Sequence, residues 1–300
     1  MRVAVTGASG FVGRHLVRGL RAHGHAVRAL VRDLWTAPES DEARAVDLPS
    51  AGPLDEALAG VDTVIHAAAH LPASYADPGE ARKLLEVNAL GTLAILESCV
   101  HTSVRKAVVL SGNVYRHGTH AVTEEAPAYP SGHAPYYMMS KLCAEVWADH
   151  FDRTGKLRTA SLRLASVFGP GLERGIIPTF TATLVQGKPI TVKDGGRYRS
   201  DFVAVEDVVD ATERALLRDV HGIFNVGSGT TLSSLEIAET LVALTGASRD
   251  LLIVEPPASG AVPSGFAPLD VTRAREELGY APRAVKDALR AYVDWYRCRR

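Results

Sequence analysis

Three glycines at a spacing of three, Gly7, Gly10 and Gly13, set the tightest limit on what this chain can fold into. They follow a β-prone run, residues 2–6 (Arg-Val-Ala-Val-Thr). They precede a segment from Phe11 to Ala22 in which Val12, Leu16, Val17 and Leu20 recur at helical spacing. One glycine permits a tight turn between strand and helix. Another lets the backbone approach a pyrophosphate, and the last allows close packing of helix on strand. The helix N-terminus then offers free N–H groups and the positive end of its dipole to phosphates. The pattern is Gly-x-x-Gly-x-x-Gly rather than Gly-x-Gly-x-x-Gly, and a bare glycine triplet is a weak sign. Its place between a strand and an amphipathic helix makes a dinucleotide site the expectation, with a ligand-free structural turn as the alternative.

The rest of the chain alternates in the same way. Strands are expected at Ala26–Val31, 43–47, 61–66, 105–111 and 157–165, with helices at 54–59, 79–100 and 134–154. Such alternation implies parallel pairing through right-handed crossovers. The apolar, β-branched strands suit a sheet covered on both faces. After Gly169-Pro170-Gly171 the texture changes, with glycine and proline stops around a helix near 177–186. One more strand is expected at Gly222–Val226, and helices at 233–245 and 284–298. The expected fold is therefore α/β: a Rossmann-type doubly wound parallel sheet with a smaller, mainly helical C-terminal substrate lobe. Residues 1–170, rejoined near 222–227, would form the dinucleotide-binding domain, and 171–221 with 228–300 the lobe.

Composition excludes several other roles. Thirty-three Lys and Arg balance thirty-four Asp and Glu, for a net charge of -1, so neither nucleic acid nor an acidic membrane surface is an expected partner. The three cysteines (Cys99, Cys143, Cys298) are scattered and have neither disulfide nor metal-ligand spacing. No charged leader precedes the first strand, and no uninterrupted apolar run approaches the ~18 residues of a membrane span. A reducing cytoplasm is the expected compartment, with no metal.

Tyr137 and Lys141 stand at i and i+4 of an expected helix and so share one face. A free phenol titrates near ~10 and is a poor base at neutral pH. A nearby cation favours the phenolate, so the pair reads as an acid/base device. An exposed helix pair is the plainer alternative. Tyr136 lacks a lysine four residues on.

Five stretches together identify a family. They are Val5-Thr6-Gly7-Ala8-Ser9-Gly10-Phe11-Val12-Gly13, Val64-Ile65-His66-Ala67-Ala68-Ala69, Asn88-Ala89-Leu90-Gly91-Thr92, Tyr137-x-x-x-Lys141 and Asp201-Phe202-Val203-Ala204-Val205-Glu206-Asp207. They resemble the extended short-chain dehydrogenase/reductase family, whose commonest members are NAD-dependent epimerases and dehydratases of nucleotide sugars. The match runs from Arg2 to about Arg283.

The resemblance implies specific roles. Tyr137 would be the general acid/base, and Lys141 would hold the nicotinamide ribose and depress the tyrosine pKa. Ser111, at the end of an expected strand, would orient the reacting oxygen; a plain strand-end cap is its alternative. Gly7, Ser9, Gly10, Phe11, Val12, Gly13, Ala67 and Ala68 would line the dinucleotide, with Asp47 and Leu48 flanking the adenine. At the end of the second strand an acidic residue would bind ribose hydroxyls, whereas an arginine can pair with a 2′-phosphate. Val31 stands at the acidic position and Arg32 follows, so NADP is favoured over NAD. Asp33, one step late, could reach the ribose after a small loop shift, and Arg32 could be a plain surface charge.

On the substrate side, dehydratases of the family resemble Thr-Asp-Glu where this chain has Ser111-Gly112-Asn113. Gly112 and Asn113 cannot transfer a proton at neutral pH, which disfavours a 4,6-dehydratase. The resemblance leaves an epimerase or a 4-ketoreductase of a nucleotide sugar. Asn113 and Ser166 are candidate substrate contacts, although relatives carry Asn where Ser166 stands. Relatives commonly have Arg, a diphosphate anchor, where this chain has Ser200. Arg197 and Arg199 could substitute only if their loop shifts, with Arg174 and Lys188 as further cations, each singly more often a surface residue. These departures keep open a reductase of a non-nucleotide ketone or aldehyde, and more remotely a non-catalytic NADP-sensing module. His66 and His70 are expected as loop residues, and Asn88 as a structural one. A homodimer through the helices at 79–100 and 134–154 is implied by many relatives.

Overall fold

The computed structural model describes residues 1–48, 54–75, 77–115, 118, 120–129, 134–257 and 265–299. The first half runs β1 (Arg2–Thr6), α1 (Phe11–Ala22), β2 (Ala26–Val31), β3 (Glu42–Ala45), α2 (Leu54–Leu58), β4 (Thr63–His66), the helical run α3 (Pro78–His101), β5 (Lys106–Gly112), α4 (Pro135–Arg153) and β6 (Arg158–Leu164). The second half runs β7 (Ser166–Phe168), α5 (Ile176–Val185), β8 (Ile190–Val192), β9 (Arg199–Ala204), α6 (Val205–Leu217), β10 (Gly222–Val226), β11 (Thr231–Ser233), α7 (Ser234–Thr245), β12 (Leu252–Val254) and α8 (Val285–Cys298).

Seven strands pair in parallel in the order β10-β6-β5-β4-β1-β2-β3. The chain moves outward from β1 through β2 and β3, then returns to the other side of β1 at β4. That reversal opens a crevice at the carboxyl ends of β1 and β4, where doubly wound sheets bind ligands. Successive strand residues face opposite layers, as the pleat requires. Val3, Val5, Val108 and Leu110 join a core with Leu16, Val17 and Leu20 of α1. Ala4, Val64, Ala107 and Val109 join the other, with Ile95 and Leu96 of α3 and Ala148 and Phe151 of α4.

α6 is a departure from the expectation. It lies in the stretch 171–221 assigned to the lobe, yet its Val208, Val209, Ala211 and Ala215 share the first core with α1. The strand-to-helix junction at Ala204 has no side-chain cap and no glycine or proline to mark it. Leu269, Val271, Ala274, Leu278 and Tyr280 also pack into that core. The lobe has its own centre, with Phe168, Ile177, Leu184, Ile237, Leu241, Leu289 and Tyr292. It carries a three-stranded sheet, β11-β9-β7, and a two-stranded pair, β12-β8, beside its helices.

α3 is long and apolar enough on average to cross a membrane, by length and composition alone. Charged residues such as Arg82, Lys83, Glu86 and Glu97 interrupt it, so it is not the unbroken apolar run whose absence was expected. Half of its most apolar stretch is buried inside the protein, so the core accounts for much of its apolar surface.

Candidate active site

The crevice is closed by backbone contact. Gly7 has φ +63°, and a Cβ there would lie 2.6 Å from the Cα of Ala68 and 2.9 Å from the carbonyl carbon of Ala67. The loops after β1 and β4 therefore touch at Gly7. A Cβ at Gly13 would stand 2.1 Å from the Gly7 carbonyl oxygen, so α1 also seats directly on the turn. Gly10 caps α1 with no side-chain hydrogen bond, and no acidic residue occupies the first turn. The N–H groups beyond Ser9, at Phe11, Val12 and Gly13, are thus left to an anion. Thr6 Oγ1 lies 2.8 Å from His66 Nδ1 and accepts from the Ala68 N–H at 3.1 Å, tying β1 to β4. Burial pushes the His66 imidazole down to about 3, so this ring is a neutral tie.

The adenosine side is more open. Arg32 is exposed at the end of β2, and its guanidinium has no hydrogen bond or ion pair among the described residues. Asp33 instead accepts from the Trp35 N–H at 3.0 Å, capping a single helical turn at Leu34–Thr36. Arg14 of α1 donates to Ser9 O and to Thr36 O, which couples the glycine turn to this loop. Asp47 is exposed while Leu48 is buried under Gly91.

Tyr137, Lys141 and the end of β5, which carries Ser111, come together. A Cβ at Gly112 would lie 3.8 Å from the Tyr137 hydroxyl oxygen, so that ring stands against the end of β5. Ser111, the residue before Gly112 on that strand, is buried, and its hydroxyl has no hydrogen-bond partner among the described residues. An unpaired buried hydroxyl is costly unless something arrives to meet it. Lys141 Nζ lies 6.0 Å from the Tyr137 ring centre and donates to Leu110 O at 3.0 Å. Burial pulls this ammonium down to about 8, opposed by Glu145. Burial raises the Tyr137 phenol well above its ordinary value, with Tyr75 adding to the rise, and Lys141 does not depress it. Desolvation dominates, and the ammonium, 6.0 Å from the ring centre, donates to a backbone carbonyl rather than to the phenol.

Asn88 fixes the loop above the pair. Its side chain accepts from the His70 N–H and donates to His70 O and to Ser140 Oγ, whose hydroxyl donates to Tyr137 O. Its role is structural, as expected. His70 is paired with Glu80. Tyr75, which sequence reasoning missed, packs edge-on against Tyr137 at 5.4 Å. Its only sign in the sequence is an aromatic residue in the loop that follows β4.

The expected substrate contacts are not gathered in the same way. Ser166 Oγ and Ser200 Oγ are 2.7 Å apart and bond to each other. Arg197 is bonded to Asp194. Arg199 is engaged with Thr231 and with Glu236 of α7. Both guanidinium groups hold partners within the protein, at positions expected to reach a substrate only after their loop shifts. Asn113 accepts from the Tyr115 N–H in a local turn. Arg174, by contrast, is exposed, and its charge acts on Tyr75.

The chain is similar to known proteins over most of its length. A model of the NAD dependent epimerase/dehydratase family matches residues 3–227. A dTDP-glucose 4,6-dehydratase of Streptomyces niveus is 32% identical, over 99% of this chain and 93% of its own length. A UDP-glucose 4-epimerase of Mycolicibacterium smegmatis is 31% identical, over 99% of both. The structure of the Thermus thermophilus UDP-glucose 4-epimerase with NAD superposes with a TM-score of 0.85 at 29% identity, covering 99% of each chain.

Proposed function

Because the chain belongs to the NAD-dependent epimerase/dehydratase family, we propose that it transfers hydride to or from a nucleotide sugar as an epimerase or 4-ketoreductase. Its working residues in this reading are Ser111, Tyr137 and Lys141. The observation that carries the reading is the buried Ser111 hydroxyl, without a partner among the described residues, at the end of the strand against which Tyr137 stands. The glycine cradle and the uncapped α1 terminus suit a dinucleotide pyrophosphate. A bound nicotinamide dinucleotide supplies the hydride donor or acceptor.

The protein's own part is proton handling and orientation. Ser111 donates a hydrogen bond to the substrate oxygen and fixes its direction. Tyr137, which burial keeps protonated, gives that oxygen its proton during reduction, and the phenolate so formed is the species that takes a proton from the substrate hydroxyl during oxidation. Lys141 holds the ribose and faces the phenol as a cation below about pH 8. The free Arg32 favours NADP over NAD, because a 2′-phosphate is the charge-assisted partner it lacks.

A relative named as a dTDP-glucose 4,6-dehydratase is the natural competitor. Water elimination needs an acid and a base next to the hydride site. The two residues beyond Ser111 are Gly112 and Asn113, and Gly112 is the one against Tyr137. That supports simple hydride chemistry over elimination. A homodimer through α3 and α4 belongs to the same reading, supported by exposed Leu90 and Val146 on those helices.

The Ser166–Ser200 bond favours a second reading, a reductase of a non-nucleotide ketone or aldehyde. Thermal unfolding in the presence of UDP, dTDP and GDP separates the two, since a ligand bound only by the native state raises Tm. A rise with one of them is expected, and no response to any would favour the second reading. Tyr137→Phe should cut turnover on the responding nucleotide's sugar by about 10²- to 10⁴-fold at unchanged dinucleotide affinity. Unaltered turnover would remove Tyr137 from the mechanism. A dehydrated 4-keto-6-deoxy product from dTDP-glucose would overturn the case against elimination.

A further inference from the structure

The face of the sheet under α4 carries a buried polar row that packing alone does not require. Ser111 of β5, Arg163 of β6 and Asn225 of β10 stand in direct register across three strands, so their side chains share that face. Arg163 and Asn225 are almost wholly enclosed. Arg163 Nε donates to both oxygens of Glu145 at 3.1 Å, and Nη2 donates to Oε2 at 2.7 Å. Its Nη1 donates to Tyr115 Oη at 2.7 Å, and the Tyr115 hydroxyl passes a bond to Asn225 Oδ1 at 2.7 Å. The guanidinium also lies 4.7 Å over the Tyr115 ring. A buried ion pair of this kind is expensive to desolvate and is often replaced by apolar residues at no loss of stability. Its retention asks for a purpose.

Glu145 lies on α4 one turn beyond Lys141, as Lys141 lies one turn beyond Tyr137. The three residues form an i, i+4, i+8 series on the buried side of one helix. The groups facing Lys141 are Tyr137 and Glu145 on its own helix, neutral His66 of β4 and the Leu110 carbonyl of β5. Arg163 of β6 stands behind Glu145, and Tyr75 covers Tyr137 from the loop after β4. Among these, Glu145 is the carboxylate that favours a charged lysine.

We propose that Glu145, clamped by Arg163, is a positioning residue for Lys141: its carboxylate holds the buried side chain in the ammonium form while the Arg163 clamp fixes that charge in place. The inference rests on the reading of Lys141 as part of the redox site. Arg163 has a second consequence, because it offsets part of the field that Glu145 exerts on Lys141. The pair thereby sets the lysine at an intermediate strength, able to titrate near working pH. Removing the arginine alone and removing both charges should then act with opposite sign.

The experiment is a pH titration of the full-length protein labelled with ¹³C at lysine Cε, with the Lys141 signal assigned by its loss in Lys141→Met. The wild-type midpoint is expected near about 8. Arg163→Met should raise it, since Glu145 then faces Lys141 without its counter-charge. Glu145→Met combined with Arg163→Met strands no buried charge, so this protein should fold, and its midpoint should fall by about one pH unit or more. If Arg163→Met does not fold, the double variant decides by itself. An unchanged midpoint in the double variant, or a shift of both variants in the same direction, would reduce the pair to a structural strut and overturn the proposal. The readout needs neither substrate nor cofactor, so its failure leaves the redox reading standing, and failure of the Tyr137→Phe test leaves this measurement intact.

Discussion

The two sides of the cleft are built by different means. On the cofactor side, the loops after β1 and β4 are pressed together until no side chain fits at Gly7 or Gly13. The surface offered there is backbone: free N–H groups at the start of α1 and a turn held by Thr6 and His66. At the positions proposed to meet substrate, the groups on offer are side chains, and most have already chosen partners. Ser166 bonds Ser200, Arg197 bonds Asp194, and Arg199 reaches Thr231 and Glu236. A backbone site has few ways to vary, because its shape follows from sterics. A side-chain site can be rewired by one substitution, which suits a family that keeps its cofactor and changes its substrate.

That contrast can be attacked by experiment. The largest effect should come from Gly13→Ala. Its Cβ would meet a backbone oxygen rather than a movable side chain, costing about 1–3 kcal/mol of stability and most dinucleotide affinity. Urea unfolding and cofactor titration check both, and a well-bound, fully stable variant would show that the turn tolerates side chains after all. Arg32→Ala should come next, weakening NADPH by about 10- to 100-fold with little change for NADH. Equal effects on the two would reverse the NADP preference. Arg199→Ala should do least. Its partly exposed bridge to Glu236 is worth at most about 1 kcal/mol, and substrate KM should hold steady. A large rise in KM would mean that the arginine leaves Glu236 to bind substrate, and the substrate side would then be less committed than it is drawn here.

Much of the fold was legible because its signals are local. The bounds of α1 follow from the glycine turn before it and Gly24 after it, and β2 and β10 coincide with their apolar runs. α6 was not legible. It leaves β9 directly, with neither a capping side chain nor a turn residue to divide strand from helix. The small strands of the lobe are three residues long in β7, β8, β11 and β12, too short for alternation to register. In the candidate site, spacing singled out the Tyr137–Lys141 pair and the family resemblance singled out Ser111, whereas Tyr75 reaches Tyr137 across sixty-two positions of chain and left no pattern.

By itself, then, the sequence determined whatever depends on neighbours along the chain: the turn that only glycine can make, the helix that follows it, and a phenol one turn from an amine. The tertiary structure decided the charges and the commitments. It placed Tyr137 where burial keeps its proton on, brought Lys141 to about 8, and bonded Ser166 to a serine thirty-four residues away. The physical reason is range. Backbone sterics act over a few bonds, but desolvation and hydrogen-bond choice depend on which distant groups the fold brings into contact.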